Sequence, residues 1–210
     1  GYARLNKFGS PSVRHAIHVS LIAAELASAQ SFKHDMIESV IGAALTMNLA
    51  KLALHDEMFN LESAPSAEMK QEMRTHPTES ALLLQRIGEF SEHWIDAVAQ
   101  HHENINGSGY PAGLKGTEIS LSARILRIAD TLAARLTGRK VRPPQHWNMH
   151  HARGDLHHLV AHVFGSDLRK LDSALCHKLL RVLNRFPPGS LVRLSNNEFA
   201  VVTRRMPDQA

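Results

Sequence analysis

The sequence predicts an all-α bundle of about seven to nine helices, closed by a small C-terminal β-hairpin. Three observations carry this. Apolar residues recur at helical spacing along most of the 210 residues. Serine and proline start signals precede those runs. Strand-like alternation is confined to the last stretch, on either side of Asn196-Asn197.

Ser10-Pro11 starts the first helix, a cap followed by proline at the first helical position. Ile17, Leu21, Ala24 and Ala27 follow at helical spacing. A second helix is expected from about Lys33 to Leu54, with Ile37, Ile41, Leu45, Leu49 and Leu52 on one apolar stripe. Ser63-Ala64-Pro65-Ser66 reads as a loop, and Ser66 caps a helix through about Arg74. Pro77 opens the next, which carries Leu82, Leu83 and Ile87 and ends near Gly88. Ser91 caps a helix that ends at His101-His102. Residues 103–119 lack periodicity and hold Gly107, Gly109, Gly113 and Gly116, so they read as a loop. Ser120 caps a helix with Ile125, Ile128, Ala129 and Leu132 inward. After Pro143-Pro144, helices are expected near 145–152, 155–164 and 167–185, stopped by Pro187-Pro188-Gly189. SLVRLS and EFAVVT then form the hairpin, too small to fold alone and so expected to pack on the helices. The expected units are a helical domain, 1–188, and the hairpin, 189–205.

Composition narrows the class. Hydrophobic residues make up 43% and charged residues 21%, ordinary for a globular protein. Cys176 is the single cysteine, which excludes an internal disulfide and a cysteine metal cluster, and fits a reducing, cytoplasmic setting. Cys176 itself sits on an apolar helix face and reads as packing. No apolar run approaches the roughly 20 residues of a membrane span. Net charge is +4, which favours an anionic ligand, yet the basic residues are not clustered as DNA or RNA binding would need. The chain opens on Gly1 and reads as a part of a larger protein.

The 15 histidines are the unusual feature. Adjacent histidines on a helix point about 100° apart and make poor core partners, yet His101-His102 stands before the glycine-rich loop. His76-Pro77 marks another helix start, and His15 lies in the first helix. Asp130 falls beside Ile128 and Ala129, where a carboxylate is costly unless paired or metal-bound. Imidazole and carboxylate donors gathered from several helices suit iron, manganese or zinc. His146, His150, His151, His157, His158 and His162 are read as a solvated surface, and Arg153-Gly154-Asp155 as a helix break.

The order His15, His76-Pro77, HHENINGSGYPAGLKG (101–116), ARILRIAD (123–130) and RKVR (139–142) resembles the HD-GYP family, helical members of the HD phosphohydrolase superfamily. The resemblance covers nearly the whole chain, including the closing FPPGSLVRLSNNEFAVV. It implies a bacterial, metal-dependent phosphodiesterase that opens cyclic di-GMP, with a cluster of two or three ions. By the resemblance, His76, His101 and His102 would serve one metal position, and His15 and Asp130 the other. Lys51 matches a catalytic position that contacts phosphate, as do Arg139 and Arg142. Gly109, Tyr110 and Pro111 would line the ligand entrance or face a partner, since family members dock onto diguanylate cyclase (GGDEF) domains.

One departure matters. The family's His-Asp pair matches ALTMNLAK, 44–51, where Met47 and Asn48 stand instead. Asn is neutral and offers one acceptor oxygen; a thioether suits hard cations poorly. Pro11 stands where some members carry a further glutamate. A literal His-Asp occurs at His55-Asp56, eight residues on. On a continuous helix that is about 12 Å along the axis and roughly 80° around it, so the pair is read as a solvated helix end. The expected function is therefore a catalytically impaired or silent domain in cyclic di-GMP signalling, binding the nucleotide or a GGDEF partner. It would hold one iron, manganese or zinc ion at the histidine remnant, or none. The alternatives are an active phosphodiesterase with a reduced metal site and a purely structural dimerisation domain.

Overall fold

The computed structural model describes residues 9–137, 161–183, 191–193 and 198–201. Their architecture is the expected helical bundle with a short strand pair. The helices are α1 (Pro11–Ala29), α2 (His34–Thr46), α3 (Leu52–Asn60), α4 (Ala67–Met73), α5 (His76–Ile87), α6 (Glu92–Gln100), α7 (Leu121–Thr137) and α8 (Ser173–Leu183). Residues 161–164 are also helical. Strands β1 (Leu191–Arg193) and β2 (Phe199–Val201) pair antiparallel, with Val192 opposite Ala200. Phe199 and Val201 are exposed. The Asn196-Asn197 turn, the helix at 145–152, most of that at 155–164 and the 139–158 region with its histidines lie outside the described residues.

Local start signals act as read. Ser10 Oγ accepts from Val13 N, Ser66 Oγ from Met69 N, Ser91 Oγ from Trp94 N and Ser120 Oγ from Ala123 N. Each satisfies a backbone donor with no partner inside its helix, worth about 1 kcal/mol.

The core forms around α1, which packs on α2, α3, α7 and α8. Helix α1 is therefore buried over most of its girth: Val19, Ile22, Ala23, Leu26 and Ala27 lie in the core, whereas Leu21 is 43% exposed. On α7 the expected face holds, since Ile125, Ile128, Ala129 and Leu132 are all buried. On α5 it does not. Leu82, Leu83 and Ile87 are exposed, and Pro77, Ser80, Ala81 and Leu84 face inward. The core here accepts small residues because α5 lies close against α6 and the 49–51 turn.

Two expected helices are broken. The chain leaves α-helical geometry after Thr46, passes through Met47-Asn48 and a 3₁₀ turn at Leu49–Lys51, and restarts as α3. Asn48 has φ −104° and ψ 9°, and Lys51 φ −134° and ψ 35°, both outside the helical well. Ser80 Oγ accepts from Ala50 N at 3.1 Å and so stabilises the break from another helix. Residues 34–60 have the length and hydropathy of a membrane span, but this break divides them, and Val40, Ala43, Ala44 and Met47 belong to the core. The expected helix at 167–185 is likewise split into a 3₁₀ segment (Gly165–Lys170) and α8. Asp172 Oδ1 accepts from Leu175 N, and Asp172 Oδ2 pairs with Arg124 at 2.9 Å. Cys176 is buried, as read, and burial pushes its thiol up to about 12.

Candidate metal centre

Residues from five segments of the bundle converge on one cavity. His76 opens α5, His101-His102 follow the last turn of α6, His15 lies one turn into α1, Asp130 projects from α7 and Asn48 comes from the break after α2. The cavity has a volume of about 200 Å³ and is lined by His15, Asn48, His55, Phe59, Met73, His76, His102, Tyr110, Asp130 and Ala134.

The geometry of His76 and His101 points to a cation. His76 Nδ1 donates to the Met73 carbonyl at 2.5 Å, and His101 Nδ1 donates to the Val98 carbonyl at 2.7 Å. A carbonyl only accepts, so both neutral rings carry their proton on Nδ1. Their Nε2 atoms, 2.9 Å apart, then face each other lone pair to lone pair. Protonation would relieve this, but burial disfavours it: the His101 imidazole is pushed down to about 3 by burial and then by His76, and His76 is lowered chiefly by burial. A divalent cation held between them would relieve it instead. With metal–nitrogen distances of roughly 2.0–2.1 Å, ligands at right angles lie about 2.9 Å apart. His102 completes the group, with donor atoms of all three rings within 4.8 Å of one another. The donor set fits iron, manganese or zinc.

Asp130 holds the other side. Its Oδ1 lies 2.8 Å from His15 Nε2 and its Oδ2 3.6 Å from Arg127. Burial by itself would raise this carboxyl, but the His15 hydrogen bond and the charges of His15, His102 and Arg127 outweigh it and hold it well below its ordinary value. Asp130 is thus an anion beside the histidines.

The 103–116 loop builds the cavity's outer wall. Glu103 is 1% exposed, and its carboxylate accepts from Ala112 N (2.7 Å), Gly113 N (3.0 Å) and Leu114 N (3.1 Å). Tyr110 N donates to the His102 carbonyl, and the Tyr110 ring stacks on the His102 ring at 4.7 Å. The Arg74 guanidinium also lies over the Tyr110 ring, 4.4 Å from its centroid. Gly109 is a place where the backbone touches itself: a Cβ there would lie 2.3 Å from Asn104 N. Pro111 is exposed at the loop's tip, after a cis Tyr110-Pro111 bond.

The structure therefore gathers His15, His76, His102, Asp130 and Tyr110 at one cavity, with His101 behind His76. Asn48 lines it too, while Met47 is 1% exposed and packs in the core. Lys51 stands apart: its Nζ lies 3.2 Å from both Glu72 and Glu79, and it does not line the cavity. Arg139 and Arg142 lie outside the described residues. His55 corrects the sequence reading. It is a half-buried cavity residue rather than a solvated helix end, because the continuous helix assumed for residues 33–54 does not exist. Glu103 and Arg127 were also missed as site-builders, although Glu103 directly follows the histidine pair and Arg127 lies three residues before Asp130.

Comparisons with known proteins give the chain its relatives. A family model described as HD domain matches residues 4–163. A cyclic di-GMP phosphodiesterase of Pseudomonas aeruginosa is 25% identical over 199 residues, covering 95% of this chain and 46% of that protein. A cyclic di-GMP phosphodiesterase response regulator of Xanthomonas campestris is 28% identical over 164 residues, 78% of this chain and 41% of its own. A 3′3′-cGAMP-specific phosphodiesterase of Vibrio cholerae is 28% identical over 130 residues, 61% of this chain and 30% of its own. The chain thus spans less than half the length of these relatives. The fold is similar to that of an HDG"Y"P protein from Bdellovibrio bacteriovorus, with a TM-score of 0.62 and 19% identity over 82% of this chain and 52% of that one. With the family match running through both the histidine trio and Asp130, the chain belongs to the HD domain family.

Proposed function

We propose that this chain is a degenerate HD-GYP domain of bacterial, cytoplasmic cyclic-dinucleotide signalling, one that binds metal and cyclic di-GMP but is impaired in hydrolysis. The observation that carries this is the charge of the cavity wall. Among the described lining residues Asp130 is the one carboxylate, and it is already engaged by His15. Asn48 presents a neutral amide to the same cavity, and Met47 turns into the core. A bound cation supplies Lewis-acid activation of water and phosphate. This chain's histidine trio would hold it, Asp130 would balance its charge, and the Tyr110 wall would restrict solvent access. Without a second carboxylate to bridge two ions, several kcal/mol of transition-state stabilisation are lost, each 1.4 kcal/mol being about tenfold in rate.

The names of the relatives support a cyclic dinucleotide as the ligand, with cyclic di-GMP the first choice and 3′3′-cGAMP the second. The exposed tip of the 106–112 stretch leaves a surface for a GGDEF partner. The competing reading, an active phosphodiesterase with a reduced metal site, is favoured by the tight gathering of the three histidines. Anaerobic incubation with cyclic di-GMP and ferrous or manganous ion decides between them. Calorimetric binding with little or no linear product by chromatography supports an impaired domain. Rapid turnover that vanishes in His101→Ala makes the chain an enzyme.

A further inference from the structure

Basic side chains around the cavity are engaged by acceptors of this chain, with one exception. Lys51 Nζ lies 3.2 Å from both Glu72 and Glu79. Arg127 donates from Nε to Asn104 Oδ1 at 3.1 Å and lies 3.6 Å from Asp130. Arg14, which lies over the Phe59 ring, donates to the Gly9 carbonyl at 2.6 Å. Arg74 is different. Its guanidinium is exposed, 4.4 Å from the centroid of the Tyr110 ring, and it meets no carboxylate or other acceptor among the described residues.

Its place in the chain sets that guanidinium at the cavity rim. Arg74 ends α4, where its backbone N–H donates to the Lys70 and Gln71 carbonyls. Met73 before it lines the cavity, and His76 of the trio follows two residues later. Tyr110 also lines the cavity, and its ring stacks on His102 at 4.7 Å. Arg74, Tyr110 and His102 thus form a chain of contacts from an exposed guanidinium to an imidazole of the trio. A cation over a ring keeps its N–H groups for another acceptor. The ring also restrains the arginine in advance, which lowers the ordering cost of binding.

We propose that Arg74, held over Tyr110, donates to a phosphate of the ligand at the cavity rim, taking a contact that the paired Lys51 does not offer. The proposal rests on the reading of the cavity as a cyclic-dinucleotide site and names one recognition residue of it. The group recognised is a phosphodiester anion. A guanidinium presents parallel N–H donors that match two phosphate oxygens, and among the described residues no carboxylate competes for those of Arg74. A phosphate drawn to Lys51 would instead face the like charges of Glu72 and Glu79.

The test is calorimetric titration of cyclic di-GMP into the full chain with manganous ion, at low and high sodium chloride. The proteins compared are the wild type, Arg74→Gln, Arg74→Lys and Arg86→Gln, each verified folded by circular dichroism. Arg86 is exposed on α5 and does not line the cavity, so its variant reproduces the change in net charge alone. Arg74→Gln should weaken binding at least about tenfold, Arg74→Lys by less, and Arg86→Gln should match the wild type. Salt should weaken the wild type more than Arg74→Gln, because the variant lacks one ionic contact. Wild-type affinity in Arg74→Gln would overturn the contact and leave the nucleotide site standing. Weaker binding with wild-type salt dependence and faster hydrogen exchange at residues 110–114 would make Arg74 a brace for Tyr110, and would also overturn it. A wild type that binds no cyclic di-GMP at millimolar concentration would remove the proposed function and this contact together.

Discussion

Replacing Glu103 should loosen the loop that walls the cavity while sparing the histidine trio. Three consecutive backbone donors, Ala112 N, Gly113 N and Leu114 N, converge on one buried carboxylate. A hydrogen bond to a charged group contributes about 1.5–3 kcal/mol, and an amide left unsatisfied in a buried setting costs about 1–3 kcal/mol. The donors are only partly buried, so water recovers some of the loss. The net cost of Glu103→Ala is about 3–5 kcal/mol, a large share of a typical domain stability of about 5–15 kcal/mol. Glu103→Gln should cost less. Its amide oxygen can keep the two bonds now made to Oε1, while its NH₂ group faces the Leu114 N–H, donor against donor. About 1–3 kcal/mol is expected for that one mismatch. Urea unfolding gives the two stabilities, and hydrogen exchange reads the amides of residues 112–114 directly. Equal losses in the Gln and Ala variants, or unchanged exchange at those three amides, would refute the account of Glu103 as the loop's internal anchor.

Other outcomes follow from the same structure. His101→Ala should abolish tight metal binding and the metal-induced rise in melting temperature, because it removes one of two facing Nε2 donors; a variant that still gains stability with metal would contradict this. Asn48→Asp should raise metal affinity tenfold or more and increase any phosphodiesterase turnover by restoring a carboxylate to the cavity wall, measured by calorimetry and product chromatography. Gly42→Ala should destabilise the fold by at least about 1–3 kcal/mol, since its Cβ would lie 1.9 Å from Trp94 Cη2 in a packed interface; a neutral urea midpoint would argue against that contact. In metal-free protein, His101 is held down at about 3 against 6.5 for a free imidazole, with His76 and His102 also lowered, chiefly by burial. Below about pH 6.5 the unfolded chain takes up protons that the folded chain refuses. For His101 stability should therefore fall as pH drops toward 3, by on the order of 1.4 kcal/mol per pH unit, and His76 and His102 add losses of the same sign below about pH 6.5. Flat urea midpoints across that window would show the rings to be solvated.

What the sequence determined by itself was local or compositional. A serine cap acts across three residues, so Ser10, Ser66, Ser91 and Ser120 mark their helices without reference to the rest of the chain. The inward face of α7 was legible because one side of that helix meets the core and the other does not. The pairing of His15 with Asp130 and the grouping of His76, His101 and His102 came from resemblance and donor chemistry, and the fold brings each together. Tertiary structure decided the rest. The interruption after Thr46 is secured by Ser80, thirty residues away, and no periodicity within residues 33–54 announces it. That interruption carries His55 into the cavity and Met47 into the core. Leu82, Leu83 and Ile87 looked like a core stripe, but the neighbours of α5 leave room for Ala81 and Ser80 instead. Glu103 took its meaning from three amides brought back by a turn of the loop, and Lys51 was drawn away from the cavity by Glu72 and Glu79. Sequence pattern records what a residue can do within a turn or two; which partners it meets depends on segments folding back from far along the chain.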